Sequence, residues 1–198
     1  MAFNINTFRS SIAANGGVMR NNKFRVVFQP PAGIISSAGI VNTAGLLQYW
    51  ADAANLPGVS MNVTENYRFG YGHREKKPMN GVFNDMQISF ISDANGSVWK
   101  FFHEWTKLIY NYDLKDPLGQ NSNSTGALVA YKDDYATDVA VTVYDEGNNE
   151  TMTVYLRDAF PTVLGEVQLN WRDRNNYARF SVTFSYTDWY LDRSNTNE

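Results

Sequence analysis

Apolar and polar positions alternate along most of the chain, and at one place the alternation gives way to a helical period. Met86, Ile88 and Phe90 share one strand face while Gln87 and Ser89 share the other. An Asp93-Ala94-Asn95-Gly96 turn follows, and from Ser97 the apolar period lengthens from about 2 to about 3.6. Val98, Phe101, Phe102, Trp105, Leu108, Ile109 and Tyr112 then form one stripe. The pattern predicts a strand from Met86 up to the turn and a helix over 97–111, with Ser97 as its N-cap and its aromatic face laid on a sheet.

Before this unit the signals are looser. Residues 1–21 are small and polar and end in Asn15-Gly16-Gly17, which predicts an arm with a turn of helix around 5–12. Phe24, Val26 and Phe28 oppose Lys23, Arg25 and Val27 in a first strand over 22–29, stopped by Pro30-Pro31. The Gly, Ser and Ala-rich stretch 32–45 reads as a surface excursion, and 46–55 fits helix or strand equally well before the Leu56-Pro57-Gly58 turn. From 59 to 79 two extended pieces are expected, with Val59, Met61 and Val63 in one register and Tyr67, Phe69 and Tyr71 in another. The hydrophilic second piece is expected to face solvent or pair with another subunit.

Beyond the helix, 113–126 carries Asp116-Pro117, Gly119 and a Gln/Asn/Ser/Thr run, the composition of a long loop that packs on or is ordered by a partner. The last third is nearly all strand. Val139, Val141 and Val143 alternate up to a turn at 145–149, and Met152, Val154 and Leu156 alternate after it. Residues 157–161 are expected to connect to a strand over 167–171, and 173–176 to turn into Ala178, Phe180, Val182, Phe184 and Tyr186 on one face. The total is roughly seven to nine strands with one clear helix: a mainly β chain, an antiparallel sandwich or small barrel with a flanking helix. One domain is expected over 1–198.

Composition narrows the function more than it names one. Hydrophobic residues at 43% and aromatics at 15% exclude wholesale disorder, and the twelve Tyr and twelve Phe favour pleated surfaces. A net charge of −3 argues against a phosphate-gripping footprint. Cysteine is absent, which removes disulfides, thiolate nucleophiles and sulfur-ligated metals together. The first residues lack the basic and apolar regions of a secretory signal, and no apolar run approaches the roughly 20 residues needed to cross a bilayer, so no membrane insertion is expected.

Chemistry finds no foothold. His73 and His103 have neither cysteine partners nor paired metal-ligand spacing. Asp93 to Ser97 resembles the start of a calcium loop, yet Glu104, at the closing twelfth position, falls inside the helix. Asp133-Asp134, Asp145-Glu146 and the pair Glu65 and Glu75 sit in turns or polar runs, where carboxylates hydrate well. Neither a nucleophile elbow nor a complete phosphate-binding loop occurs; Gly70-Tyr71-Gly72 is too short. Basic and aromatic residues interleave at 67–77 and 171–179, but alternating strands place Arg and Lys on wet faces as a matter of course. No catalytic, cofactor or metal residue is expected.

The order of features carries a resemblance. Phe24-Arg25-Val26, Leu56-Pro57-Gly58, Tyr67-x-Phe69-Gly70-Tyr71-Gly72 with its basic run and Pro78, then Phe90-Ile91-Ser92-Asp93 and Val98-Trp99-x-Phe101-Phe102-x-x-Trp105 are similar to the tail tube proteins of contractile-tailed, T4-like bacteriophages. The match covers residues 20–112 by motif and 136–190 by topology. It implies a split β-barrel of two packed sheets with a flanking helix. Six copies would form a ring, and rings would stack into a hollow virion tube through which DNA passes, with sheath, baseplate and tape measure proteins as partners. Assembly would take place in the host cytoplasm. The long 32–45 and 113–126 segments depart from that pattern and leave a baseplate tube initiator open. Six copies at −3 each carry −18, which opposes adhesion of DNA where that charge faces the bore. A tube protein of a secretion or injection apparatus shares this architecture. An aromatic-rich carbohydrate or peptide-binding module is the third reading.

Overall fold

A computed structural model describes residues 4–14, 16–31, 34, 41–67, 70–111, 128–172 and 176–192. The elements run α1 (Ile5–Ala14), β1 (Phe24–Phe28), α2 (Val41–Trp50), β2 (Ala51–Ala54), β3 (Val59–Tyr67), β4 (Arg74–Phe83), β5 (Met86–Ile91) and α3 (Ser97–Ile109). They continue with β6 (Tyr110–Asn111), β7 (Leu128–Val129), α4 (Lys132–Tyr135), β8 (Thr137–Tyr144), β9 (Glu150–Leu164), β10 (Arg179–Ser185) and β11 (Asp188–Leu191).

One antiparallel path, β1-β8-β9-β10-β5-β2, contains the body of the fold, and β11 adds to β9. Two sheets arise because β9 is shared between them. Its first half pairs with β8 and β11, and its second half pairs with β10. The change of partner surrounds Asp158, whose φ of 52° turns the strand through a left-handed conformation that aspartate tolerates. Past the bend, Pro161 has only β10 beside it among the described residues, so its missing N–H interrupts no second ladder.

The inward faces meet in one core. Val26, Phe28, Val139, Val141 and Leu156 come from one sheet; Met86, Ile88, Phe90, Phe180, Val182 and Phe184 come from the other. Phe28 joins them, with ring centroids 5.9 Å from Phe90 and 5.5 Å from Phe184. Helix α3 lays Val98, Phe101, Phe102 and Trp105 on this core, all buried. Burying one such aromatic stabilises by about 1.5–3 kcal/mol, so α3 is held by packing rather than by propensity.

Most predicted strand faces are present: β1 and β10 bury the expected positions, and β5 buries Met86, Ile88 and Phe90. Six expectations need correction or completion. Gly96, at φ 65°, occupies the cap of α3, and Ser97 is its first helical residue. The acceptor comes instead from Asp93, whose carboxylate takes the Val98 N–H at 3.1 Å. Helix α3 ends at Ile109, and Tyr112 lies outside the described residues. Residues 46–55 are both helix and strand, since pairing of Ala51 with Phe90 ends α2 and begins β2. Residues 157–161 are the middle of β9 rather than a connection, and 167–171 are not a strand, because no neighbouring strand offers them a ladder among the described residues. The 32–45 excursion becomes helical at Val41; its residues 32, 33 and 35–40, like the loop 113–126, lie outside the described residues.

Candidate assembly surfaces

Strands β3 and β4 form a ribbon that pairs with no other strand among the described residues. Their register runs from Val59↔Phe83 to Tyr67↔Arg74, with a bulge that leaves Met79 unmatched. Every residue of β4 is exposed, and every residue of β3 except Thr64 is too. A ribbon lying on the body would be covered on one face, so this one stands off it. Two strands alone are marginal in water, which makes an uncovered ribbon an element that needs a neighbour.

Its two faces differ, because directly paired residues of an antiparallel ladder share a side. Val59, Met61 and Val63 with Phe83 and Pro78 make one face apolar near the base; Ser60, Asn62, Thr64 and Asn66 with Asn80, Lys77 and Glu75 make the other mostly polar. Met61 is 68% exposed. Toward the tip the apolar side becomes charged. Glu65 faces Arg74 at 2.8 Å and Lys76 at 3.4 Å, and Arg74 also donates to the Tyr67 hydroxyl at 2.9 Å. Glu65 first, then Tyr67, raises the Arg74 pKa above its ordinary value. These exposed pairs contribute little stability.

Topology sets where the ribbon leaves the body. It ends two residues before β5 begins at Met86, and Phe83 rests 6.4 Å from the Tyr186 ring. The other end of β5, Ile91, pairs with Arg179, and Ser92 donates to the Ala178 carbonyl at 2.9 Å. The segment between β9 and β10 therefore sits at that opposite end. There Val167 packs against the core, but Leu169 is 85% exposed and Trp171 is wholly exposed.

Two further apolar surfaces are open to solvent. Helix α1 buries no residue and exposes Ile5 and Phe8. Where the β1 and β2 edges approach, Met19, Phe24, Leu56, Val141 and Val143 line an open pocket of about 110 Å³.

The titratable residues singled out in the sequence serve structure. His103 stacks on Trp99 with ring centroids 5.1 Å apart and lies 3.5 Å from Glu104; His73 is in the bend at the ribbon tip. Glu65 and Glu75 fall on opposite faces of the ribbon. Asp133 and Asp134 occupy the first turn of α4, and Asp145 takes the Asn149 N–H at 2.8 Å, with that bond first among those that lower its pKa. No three His, Asp or Glu side chains converge as a metal site among the described residues.

A family model described as "Phage tail tube protein" matches residues 19–192. The chain belongs to the phage tail tube protein family. It is a structural, tube-forming subunit. The tail tube protein of Serratia phage KSP90 is 26% identical over 191 residues, covering 96% of this chain and 98% of that one. Similar folds occur in solved assemblies. A chain of the six-fold symmetrised anti-feeding prophage baseplate superposes with a TM-score of 0.53 at 7% identity, covering 88% of this chain and 95% of that one. A chain of the sheath-tube complex of the extracellular contractile injection system PVC gives 0.51 at 16% identity, covering 92% and 96%. In this tail tube protein the β3–β4 ribbon carries apolar side chains that the described residues of the chain leave exposed.

Proposed function

We propose that this protein assembles as closed rings of six copies that stack into the hollow tube of a phage tail, through which the genome is delivered. The observation that carries the reading is the β3–β4 ribbon: an extended two-stranded element with an apolar face that its own chain leaves uncovered. A second copy supplies the cover. The strand edges of β1, β2 and β11 offer further backbone groups for pairing between neighbours, which protects edges that otherwise invite uncontrolled association. The number six follows from the family resemblance and accords with the six-fold symmetry of the baseplate holding a similar chain.

In this reading residues 1–198 act as one domain whose arm, 1–21, and loop, 113–126, reach neighbouring copies. Sheath, baseplate and tape measure proteins are its partners in the virion, after assembly in the host cytoplasm. DNA passes without specific contact, since the copies together are acidic. A second reading, a tube protein of an injection apparatus, draws on the likeness to the contractile injection system chains. The composition of particles isolated with the protein separates the two.

Negative-stain electron microscopy of the purified protein is the test. Hexameric rings or tubes with a central channel are expected. A chain that stays monomeric at high concentration sinks the proposal.

A further inference from the structure

Asparagine followed by glycine is prone to react with itself, because the glycine nitrogen reaches the asparagine side-chain carbonyl carbon with no Cβ in the way. The chain holds three such pairs: Asn15-Gly16, Asn80-Gly81 and Asn95-Gly96. In two of them the attacking nitrogen is engaged and must first give up a bond. The Gly16 N–H donates to the Ala13 carbonyl at 3.2 Å, and the Gly96 N–H to the Asp93 carbonyl at 2.9 Å. Gly81 lies in β4, where the phase of the ladder decides the direction of its N–H. Residue pairs of an antiparallel ladder that exchange hydrogen bonds alternate with pairs that exchange none. The Asn84 N–H donates to the Gly58 carbonyl at 3.3 Å, so Ser60 with Val82 and Asn62 with Asn80 are bonded pairs, and Met61 with Gly81 is not. Pro78 agrees with this phase: having no N–H, it faces Val63, the next unbonded position of β3. The Gly81 N–H therefore points away from β3, to the side on which β4 pairs with no other strand among the described residues.

We propose that Asn80-Gly81 is a self-modification site of the free subunit, at which asparagine is converted to aspartate and isoaspartate. The Gly81 nitrogen gives its proton to hydroxide and attacks the Asn80 Cγ. A new C–N bond closes a five-membered succinimide, and the side-chain nitrogen leaves as ammonia with a proton from water, which restores the hydroxide. Water then opens the ring at either carbonyl, and position 80 gains a carboxylate. Three features favour the reaction here. All of β4 is exposed, so water and hydroxide reach the site. A ribbon of two strands is marginal by itself, so its ladder opens locally and frees the rotation about Asn80 that ring closure needs. The bulge that leaves Met79 unmatched lies immediately before Asn80 and removes a ladder constraint on that side. Opening to isoaspartate also adds a main-chain carbon, so β4 no longer holds one register against β3 on both sides of position 80. The site does not depend on whether the subunits form tubes.

The test is to age the purified full-length chain, kept dilute at mildly alkaline pH, and to follow it by tandem mass spectrometry with electron-transfer fragmentation, which tells aspartate from isoaspartate at a given position. Position 80 is expected to gain one mass unit at least tenfold faster than position 15 or 95, and faster still as pH rises. The same chain unfolded in urea is the control. There the three pairs are expected to react within a few-fold of one another, because the fold no longer distinguishes them. Gly81→Ala supplies the second measurement: its Cβ would meet only Val59 Cγ1, at 3.9 Å, so the fold accepts it. This variant is expected to slow the change at position 80 at least tenfold without lowering the thermal midpoint. Equal rates at the three positions of the folded chain, or position 15 or 95 ahead of 80, overturn the proposal. So does a folded chain that stays unmodified at 80 while the unfolded control reacts, or a rate at 80 that Gly81→Ala leaves untouched.

Discussion

The indole N–H of Trp105 donates to the Tyr135 carbonyl oxygen at 2.9 Å, tying α3 to the short helix α4. Trp105 is wholly buried and packs edge-on against Phe101 and Phe184. The bond satisfies a donor that would otherwise be stranded in an apolar core. Trp105→Phe should therefore destabilise by about 1–3 kcal/mol by unpairing that carbonyl and loosening the packing, and Trp105→Ala by about 3–5 kcal/mol. Urea unfolding of the two variants measures both; equal midpoints for wild type and Trp105→Phe would show that the bond contributes nothing.

Gly165 follows β9 where the chain passes close to β10. A Cβ there would lie 2.7 Å from the Ser181 carbonyl oxygen and 3.2 Å from its nitrogen, both backbone atoms that cannot step aside. The Gly165 N–H also donates to that oxygen at 2.7 Å. Gly165→Ala should cost about 1–3 kcal/mol, as overpacking does. An unchanged thermal midpoint would count against this close approach.

The start of α3 depends on Asp93 rather than Ser97. Burial would raise the pKa of this carboxyl, but hydrogen bonds from Val98 and Ser97 outweigh it and leave the value lowered. Asp93→Ala should lose about 0.5–2 kcal/mol, whereas Ser97→Ala should lose clearly less. The reverse order in a denaturation series would restore Ser97 as the cap.

Acid should loosen the bend of β9. Lys132 at 3.2 Å, then Thr187 at 3.0 Å, lowers the Asp158 pKa, and Arg157 lowers that of Asp188. A carboxyl lowered in the folded state contributes stability above its unfolded value, and that contribution disappears as pH falls through the folded value. The thermal midpoint should thus drop as pH falls below about 4, the unperturbed aspartate range. Asp158→Asn keeps a residue that tolerates the left-handed conformation while removing the charge. Combined with Asp188→Asn, it should lower the neutral-pH midpoint and flatten the acid limb. Parallel acid limbs in variant and wild type would locate the acid sensitivity elsewhere.

Residues 113–126 lie between β6 and β7, whose pairs Tyr110↔Val129 and Asn111↔Leu128 already hold the two ends together. Replacing residues 112–127 by Asn-Gly should close that ladder as a tight hairpin and leave folding intact. Polymerisation should fall much further than the thermal midpoint. Equal loss of both, by microscopy beside calorimetry, would place the loop in the subunit core.

Much of the body was legible because periodicity is a local signal. Val26 and Phe28, Met86 to Phe90, and Phe180 to Phe184 each announce a buried face in their own few residues, and the stripe of α3 does the same. Asp158 and Pro161 misled the reading of β9, since both residues usually end a strand. Here one makes the bend between two sheets, and the other sits where only one neighbour needs a ladder. Trp171 differs: it alternates with Val167 and Leu169 as a strand would, yet no strand pairs with 167–171 among the described residues and its side chain is exposed.

By itself the sequence determined which side of β1, β5, β8 and β10 is apolar and that an aromatic-faced helix follows β5, because these depend on residue type and near neighbours. Only the tertiary structure decided that β9 serves both sheets, that the β3–β4 ribbon stands apart, and that the segment between β9 and β10 rejoins the sheet at the end of β5 away from it. Those facts depend on pairings between residues far apart in sequence, such as Phe184 with Met86 and Arg179 with Ile91, and local periodicity carries no record of them.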